Sequence, residues 1–287
     1  MRARTPLLAL ALAALMLPSA ARAIGIEDVV DGGNTYNWQL VELPGAVCSN
    51  GSQYRFWYYD SPTSNNMAIS YEGGGACWDY PSCSGATGIL GAANPNGIPV
   101  DYITQMKAKF VSPIINGNDP GIPLFRSKTN LVTNGWDMVY MPYCTGDVHV
   151  GNRVVTYTQT GSPPITFRHN GYNNSIAALN FLRTRFPSIG KLLVTGFSAG
   201  GVATNTIFYQ ARRTLLPTVK AYLLNDSGPV FPAPSASYSS RQLHQTITTS
   251  WNMAALFSQL PAPFNPNDYG TINQMVVHEL LLRDFYQ

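Results

Sequence analysis

The segment Gly196-Phe-Ser-Ala-Gly-Gly201 contains the residues best suited to chemistry in this 287-residue chain. It follows an apolar run at 191–195 and precedes a segment at 202–213 that is predicted to be helical. A Gly-x-Ser-x-Gly motif between a strand and a helix is typical of a nucleophile elbow, a turn so sharp that small residues must flank the serine. In a glycine-rich chain the motif can also mark an ordinary turn, but this placement favours Ser198 as a nucleophile for acyl transfer.

A serine nucleophile needs hydrogen-bond donors for the oxyanion that forms on the acyl oxygen. One donor is the backbone N–H after Ser198, because it lies at a helix N-terminus, where negative charge is favoured. The run Gly73-Gly74-Gly75 follows a predicted strand and is expected to provide the second donor. A flexible turn is the alternative for this run. Glu72, which precedes it, is interpreted as a structural acid rather than a site residue.

A triad acid and base are expected after the serine, in the order Ser, Asp, His. Asp226 and Asp284 each follow a predicted strand, so both could lie at the active-site edge of the sheet. Of the two later histidines, His244 is expected to be exposed. His278 is expected to lie inside a predicted strand, as a packed core residue or a surface residue rather than a base. His149, which precedes the serine, lies in a glycine-rich loop that could line the cleft.

The N-terminus has the pattern of a secretory signal peptide: Arg2 and Arg4, an apolar run at 7–17, and Ala21-Arg-Ala23 as a cleavage site. Cleavage after Ala23 would leave 264 of the 287 residues and remove three arginines, so 15 basic residues would face 15 acidic ones. The net charge of +3 would fall to about zero. Neither nucleic acid nor an anionic membrane is therefore expected as a partner, and no later segment is long enough to span a bilayer.

Four cysteines follow the predicted leader, at Cys48, Cys77, Cys83 and Cys144. Because an exported protein can form disulfides, two bridges are expected, with three pairings possible. A zinc site is less favoured, since the spacings typical of such sites are absent.

The predicted elements alternate between strand and helix. Strands are expected at 54–59, 67–71, 137–143, 192–195, 221–225 and 276–282, and helices at 101–110, 175–186, 202–213 and 247–260. Residues 84–130 are interpreted as an ordered insertion. This order predicts an α/β-hydrolase-like fold, a mostly parallel sheet with helices on both faces, in one domain spanning 24–287.

Four motifs in this order resemble those of the pectin acetylesterase and Notum carboxylesterase family: Tyr71-Glu-Gly-Gly-Gly-Ala-Cys-Trp78, Tyr143-Cys-Thr-Gly-Asp-Val-His-Val-Gly151, Thr195-Gly-Phe-Ser-Ala-Gly-Gly201 and Asn225-Asp-Ser-Gly228. The resemblance spans roughly residues 40–287. It implies that Ser198 is the nucleophile and that Gly75, Ala76 and Ala199 donate the oxyanion N–H groups. Ala76 departs from the family, which often has a bulky aromatic residue there.

The resemblance also implies that Asp284 is the triad acid in preference to Asp226, because Asp284-Phe-Tyr-Gln287 resembles the family's Asp-x-x-Gln motif after a buried strand. The family's histidine lies further along the chain. We therefore expect a C-terminally truncated sequence whose 287-residue form is nearly inactive.

Together these features predict a secreted or periplasmic serine carboxylesterase, deacetylase-like, acting on an ester substrate such as an acetylated polysaccharide, for example pectin. No cofactor and no metal are implied, and the sequence does not predict the oligomeric state. One alternative is another α/β-hydrolase, such as a lipase or polyester depolymerase. The other is a catalytically dead carbohydrate-binding protein, in which exposed aromatic residues would stack on sugars.

Overall fold

The computed structural model describes residues 22–31, 34–86, 91–105, 133 and 135–283. Residues 1–21 of the predicted signal peptide, residues 106–110 of a predicted helix and the predicted acid Asp284 lie outside the described residues. No helix in the described part of the chain is both long and apolar enough to cross a lipid bilayer.

In the described part of the chain, seven strands form the central sheet, in the order β1-β2-β3-β5-β4-β8-β9. The strands are β1 (Arg22–Asp31), β2 (Asn34–Val47), β3 (Gln53–Tyr59), β4 (Met67–Tyr71), β5 (Asp137–Met141), β8 (Lys191–Phe197) and β9 (Lys220–Asp226). Strands β5, β4, β8 and β9 are parallel, whereas β1, β2 and β3 pair antiparallel and join the sheet at β5. The predicted parallel sheet is confirmed for β5, β4, β8 and β9. The two N-terminal strands, β1 and β2, were not predicted from the sequence.

A separate antiparallel hairpin, which was also missed, pairs β6 (Arg153–Tyr157) with β7 (Ile165–His169). The helices are α1 (Tyr80–Cys83), α2 (Tyr102–Gln105), α3 (Gly171–Arg185), α4 (Ala199–Leu215), α5 (Ser240–Ser250), α6 (Ala254–Phe257) and α7 (Ile272–Arg283). A 3₁₀ turn, Tyr269–Thr271, leads into α7.

The alternation of side chains along β3 explains why helices pack on both faces of the sheet. Phe56 and Tyr58 both contact Phe181 of α3. Trp57 points to the opposite face and contacts Tyr102 of α2. Strands β4 and β5 are buried at all five positions, which is why their sequences are nearly continuous apolar runs.

Helix α4 covers one face of the sheet at the β8–β9 end. Ala203, Ile207 and Ala211 recur every four residues, so they lie on one side of the helix, and all three are fully buried. On the other face of β9, Tyr222 and Leu224 are 40% and 50% exposed.

The four cysteines form two disulfides, Cys48–Cys144 and Cys77–Cys83. The first joins the end of β2 to the loop after β5, across 96 residues of sequence. The second closes a six-residue span beside the glycine loop and α1. The expected disulfide framework is thus confirmed, and the structure selects one of its three pairings.

The prediction of a last buried strand at 276–282 is wrong, because residues 272–283 form helix α7. Met275, Val276 and Glu279 are buried while Val277 and His278 are exposed, which is a helical pattern. The predicted helix at 247–260 also differs from the structure: α5 starts earlier, at Ser240, and the chain leaves helical geometry between α5 and α6.

Candidate active site

Ser198 occupies the turn between β8 and α4 in a conformation that few residues other than glycine adopt, with φ 55° and ψ −117°. Its N–H donates to the carbonyl of Asp226 (2.9 Å), and its own carbonyl accepts from the N–H of Val202 (3.1 Å). Such backbone strain costs about 1–3 kcal/mol and persists only where the surrounding structure imposes it. The turn therefore has the geometry of a nucleophile elbow, as the motif predicted.

Glycine is required on both sides of the serine because the neighbouring backbone is too close for a side chain. A Cβ on Gly196 would overlap the carbonyl of Gly200, and a Cβ on Gly200 would overlap the carbonyl of Tyr71 at the end of β4. Strand β4 and the start of α4 thus touch backbone to backbone, which brings the segment after β4 to the serine.

That segment is the glycine loop, residues 73–76. A Cβ built on Gly73 would lie 2.5 Å from the carbonyl oxygen of Phe197 and 3.2 Å from Cβ of Ser198. Gly74 and Gly75 have φ of 135° and 87°, which explains why glycine is needed there. The three predicted oxyanion residues, Gly75, Ala76 and Ala199, therefore lie on the two segments that meet at Ser198.

The backbone N–H groups of Gly75, Ala76 and Ala199 form no hydrogen bond with any other described residue. For Ala199 this follows from its position in the first turn of α4, where N–H groups have no partner within the helix. Free N–H donors beside a serine can stabilise an anionic tetrahedral intermediate, and losing one typically costs about 3 kcal/mol.

The Asn225–Gly228 motif supports the turn from the β9 side. The Asn225 side chain accepts from the N–H of Gly228 (2.9 Å) and donates to its carbonyl (3.0 Å). The backbone of Asp226 holds the N–H of Ser198, but its carboxylate is exposed and accepts from the hydroxyl of Ser227 (2.9 Å). Asp226 thus contributes its carbonyl to the site.

Asp147 organises the loop between β5 and β6. Its fully buried carboxylate accepts hydrogen bonds from the Thr145 hydroxyl and from the N–H groups of His149, Gly151 and Gly171. Burial raises the pKa of Asp147 to about 6, and these hydrogen bonds offset part of that effect.

His149 does not line a cleft, contrary to the expectation, because it is 2% exposed. Its ring packs against Tyr71 and Tyr143. Nε2 lies 2.8 Å from the carbonyl of Glu72, and a carbonyl can only accept, so Nε2 carries the proton. Burial lowers the pKa of His149 to about 4, which keeps the ring neutral.

The other histidines also differ from a catalytic base in their surroundings. His169 is buried and bonded through both ring nitrogens, to Thr145 and Tyr157. His244 is half-buried on α5, whereas exposure was expected. His278 is exposed, which agrees with one of its two expected positions, but it lies on helix α7 and not in a strand. No contact among the described residues joins any of these histidines to Ser198.

Cys77, Cys83 and His169 bring their ligand atoms within 4.8 Å of one another. The two sulfurs are bonded to each other and both nitrogens of His169 are occupied, so this cluster does not offer a metal site in the oxidised protein.

Glu72 is buried, which agrees with its interpretation as a structural acid, whereas sequence reasoning missed that Asp147 and His149 are buried groups that organise the loops around Ser198. Their location inside the glycine-rich motifs could have indicated this burial. A charged or polar residue in a loop that follows a buried strand is a candidate for a buried side chain whose hydrogen bonds hold the loop.

Fold and site together define a protein of the α/β-hydrolase class. The sequence profile of the Pectinacetylesterase family matches residues 33–267, and the chain belongs to that family. Among solved structures it is similar to the Wnt deacylase Notum from Drosophila, with a TM-score of 0.51, 18% sequence identity, and coverage of 92% of this chain and 82% of that one. At this identity the likeness to Notum shows the fold alone. No curated protein matches the chain.

Proposed function

We propose that this protein is a secreted or periplasmic serine carboxylesterase that removes acetyl groups from a polysaccharide such as pectin. One observation carries the proposal: strained Ser198 lies against Gly73 of the glycine loop, and the unbonded N–H groups of Gly75, Ala76 and Ala199 belong to the two segments that meet there. Membership of the Pectinacetylesterase family supports acetyl esters as the substrate class.

In the proposed reaction, the hydroxyl oxygen of Ser198 attacks the ester carbonyl carbon, and the carbonyl oxygen becomes an oxyanion that the three N–H groups stabilise. The tetrahedral intermediate collapses to an acetyl-serine with release of the alcohol. Water then hydrolyses the acyl-enzyme and releases acetate. A general base must accept the serine proton and return it to the leaving alcohol, as histidine does in other serine hydrolases.

We retain Asp284 as the proposed triad acid. Its support comes from the resemblance of residues 284–287 to the Asp-x-x-Gln motif. The family match ends at residue 267, and the strand expected before Asp284 is helix α7, so direct mutagenesis must decide this assignment.

Because the 287-residue form is expected to be nearly inactive, the test compares hydrolysis of p-nitrophenyl acetate by the wild type, Ser198→Ala and Ser227→Ala in the full-length gene product. Ser227 is the matched control, because it is a nearby serine that also has a positive φ, of 63°. We expect Ser198→Ala to lose about 10³-fold or more in rate and Ser227→Ala to retain activity. Equal activity of Ser198→Ala and the wild type would contradict the proposal.

A substrate panel separates the alternatives. Release of acetate from acetylated pectin, with poor cleavage of long-chain p-nitrophenyl esters, supports the proposed substrate class. Preference for long acyl chains would favour a lipase or polyester depolymerase. Pectin binding that survives Ser198→Ala, without any ester cleavage by the wild type, would favour a carbohydrate-binding protein.

A further inference from the structure

Glu72 is a buried carboxylate with no part in the proposed chemical steps. It is 3% exposed and lies between β4 and the glycine loop. Burying a carboxylate is costly unless hydrogen bonds replace its water, so its partners indicate what the residue does.

Donors from distant parts of the chain converge on the Glu72 side chain. Oε2 accepts from the Asn94 amide (3.0 Å) and from the N–H of Tyr143 (2.7 Å), and Oε1 accepts from the hydroxyl of Tyr102. The carboxylate therefore connects the residue before the glycine loop to three other places: the segment that contains Asn94, helix α2, and the chain just after strand β5.

The backbone of Glu72 is fixed as well. Its N–H donates to the carbonyl of Met141 (3.0 Å), and its carbonyl accepts from Nε2 of His149. The residue is thus held at the main chain and at the side chain immediately before three glycines, which by themselves have wide conformational freedom.

The insertion held by Glu72 also shapes the glycine loop directly. A Cβ on Gly74 would lie 2.6 Å from both the N and the Cβ of Ala93, the residue before Asn94. The Glu72–Asn94 hydrogen bond therefore keeps Ala93 against Gly74 and limits where the next N–H groups can point.

We propose that Glu72 is a positioning residue that holds the glycine loop so that the N–H groups of Gly75 and Ala76 point at the acyl oxygen, an inference that rests on the proposed esterase function. The alternative is a buried acid that stabilises the fold without affecting the direction of those donors.

The experiment compares Glu72→Ala, Glu72→Gln, Tyr102→Phe and the matched control Asp137→Ala. Asp137 is another buried acid, 2% exposed, whose carboxylate accepts from the N–H of Ser61 away from the glycine loop. Glu72→Gln keeps an acceptor for Asn94 and Tyr143 and can donate to the Tyr102 oxygen. Tyr102→Phe removes the hydroxyl donor to Glu72 and leaves the carboxylate in place. This milder variant replaces Glu72→Ala in the comparison if Glu72→Ala does not fold.

The first readout is the ratio of kcat/KM for p-nitrophenyl acetate to that for its thionoester, because sulfur is a poor acceptor for oxyanion donors. For Glu72→Ala we expect kcat to fall about 10- to 100-fold at nearly constant KM, with a clearly smaller ratio. Glu72→Gln should stay within a few-fold of the wild type, and Tyr102→Phe should lie between the two. Asp137→Ala should lose stability but keep the ratio.

The second readout does not need activity. The Cys77 N–H, at the end of the glycine loop, donates to the carbonyl of Gly146 (2.8 Å), so its hydrogen exchange reports on the loop. We expect faster exchange at Cys77 in Glu72→Ala and Tyr102→Phe, with α3 unchanged.

Wild-type exchange at Cys77 in both variants, or a thionoester ratio equal to that of the wild type in the folded variants, would overturn the positioning role. These variants are compared in the full-length gene product. An inactive wild type of that protein would instead contradict the proposed function, and the exchange measurement would still decide whether Glu72 holds the loop.

Discussion

The two halves of the candidate site are built in different ways. The serine turn and the glycine loop meet through backbone contacts so close that several positions accept only glycine. On the C-terminal side, α5 and α7 place His244 and His278 on helices with no contact to Ser198 among the described residues. The proposed nucleophile and its proposed oxyanion donors are therefore set by local backbone geometry, whereas an acid and a base depend on side chains brought in from distant elements.

The largest effect on the free energy of unfolding is expected from a substitution that disturbs the backbone contact between β4 and α4. Gly200→Ala would place a Cβ on the carbonyl of Tyr71, in backbone that cannot move without separating β4 from α4. We expect a loss of more than about 3 kcal/mol in the free energy of unfolding, or failure to fold, measured by urea denaturation.

Gly161→Ala is the control for Gly200→Ala, because a Cβ at Gly161 meets nothing within 4 Å although φ is 79°. It should cost only about 1–2 kcal/mol for the left-handed conformation. Equal stability of the two variants would show that the close contact at the serine turn is not a structural requirement.

A smaller effect on stability, which depends on pH, is expected from His149 beside the glycine loop. The pKa of His149 is about 4 in the folded protein, whereas its ordinary value is near 6.5. Between pH 6.5 and 4, therefore, the unfolded chain binds a proton at this histidine and the folded protein does not. Stability is therefore lost as the pH falls through this window, by about 3 kcal/mol from this group.

His149→Gln should remove that contribution, and the difference between its stability curve and the wild-type curve isolates it. Such a difference is needed because Asp147, whose pKa is raised to about 6, acts in the opposite direction: it favours the folded state as the pH falls from about 6 toward 4. His278→Gln controls for loss of an exposed imidazole. A difference curve that is flat between pH 6.5 and 4 would contradict the buried neutral histidine.

The smallest effect is expected at Asp226, which lies at the boundary between the two halves. Its carbonyl holds the serine turn, but its carboxylate is exposed. Asp226→Asn keeps the carbonyl, so the free energy of unfolding should change by less than about 0.5 kcal/mol and the esterase rate should stay within about twofold of the wild type. A loss near 10⁴-fold would instead identify Asp226 as the triad acid.

The features of the fold and site that the sequence predicted are those set by local residues, and the features that it did not predict depend on distant ones. Strand β4, the serine turn and helix α4 were predictable because buried strands, glycine spacing and amphipathic periodicity are local signals. Helix α7 was mistaken for a strand because a short, mostly apolar segment such as 276–282 suits a buried helix equally well. The hydrogen-bond partners of the Glu72 and Asp147 side chains could not be predicted, since the most distant ones lie 71 and 24 residues away and only the fold brings them together.

Covalent labelling of Ser198 tests the central claim most directly. The full-length gene product is treated with a fluorophosphonate, which reacts with activated serines, and intact mass and peptide mass spectra are recorded for the wild type and Ser198→Ala. We predict one adduct on the wild type, on the peptide that contains Ser198, and none on the variant. An adduct on another residue, or no adduct on the wild type, would contradict the assignment of Ser198 as the nucleophile.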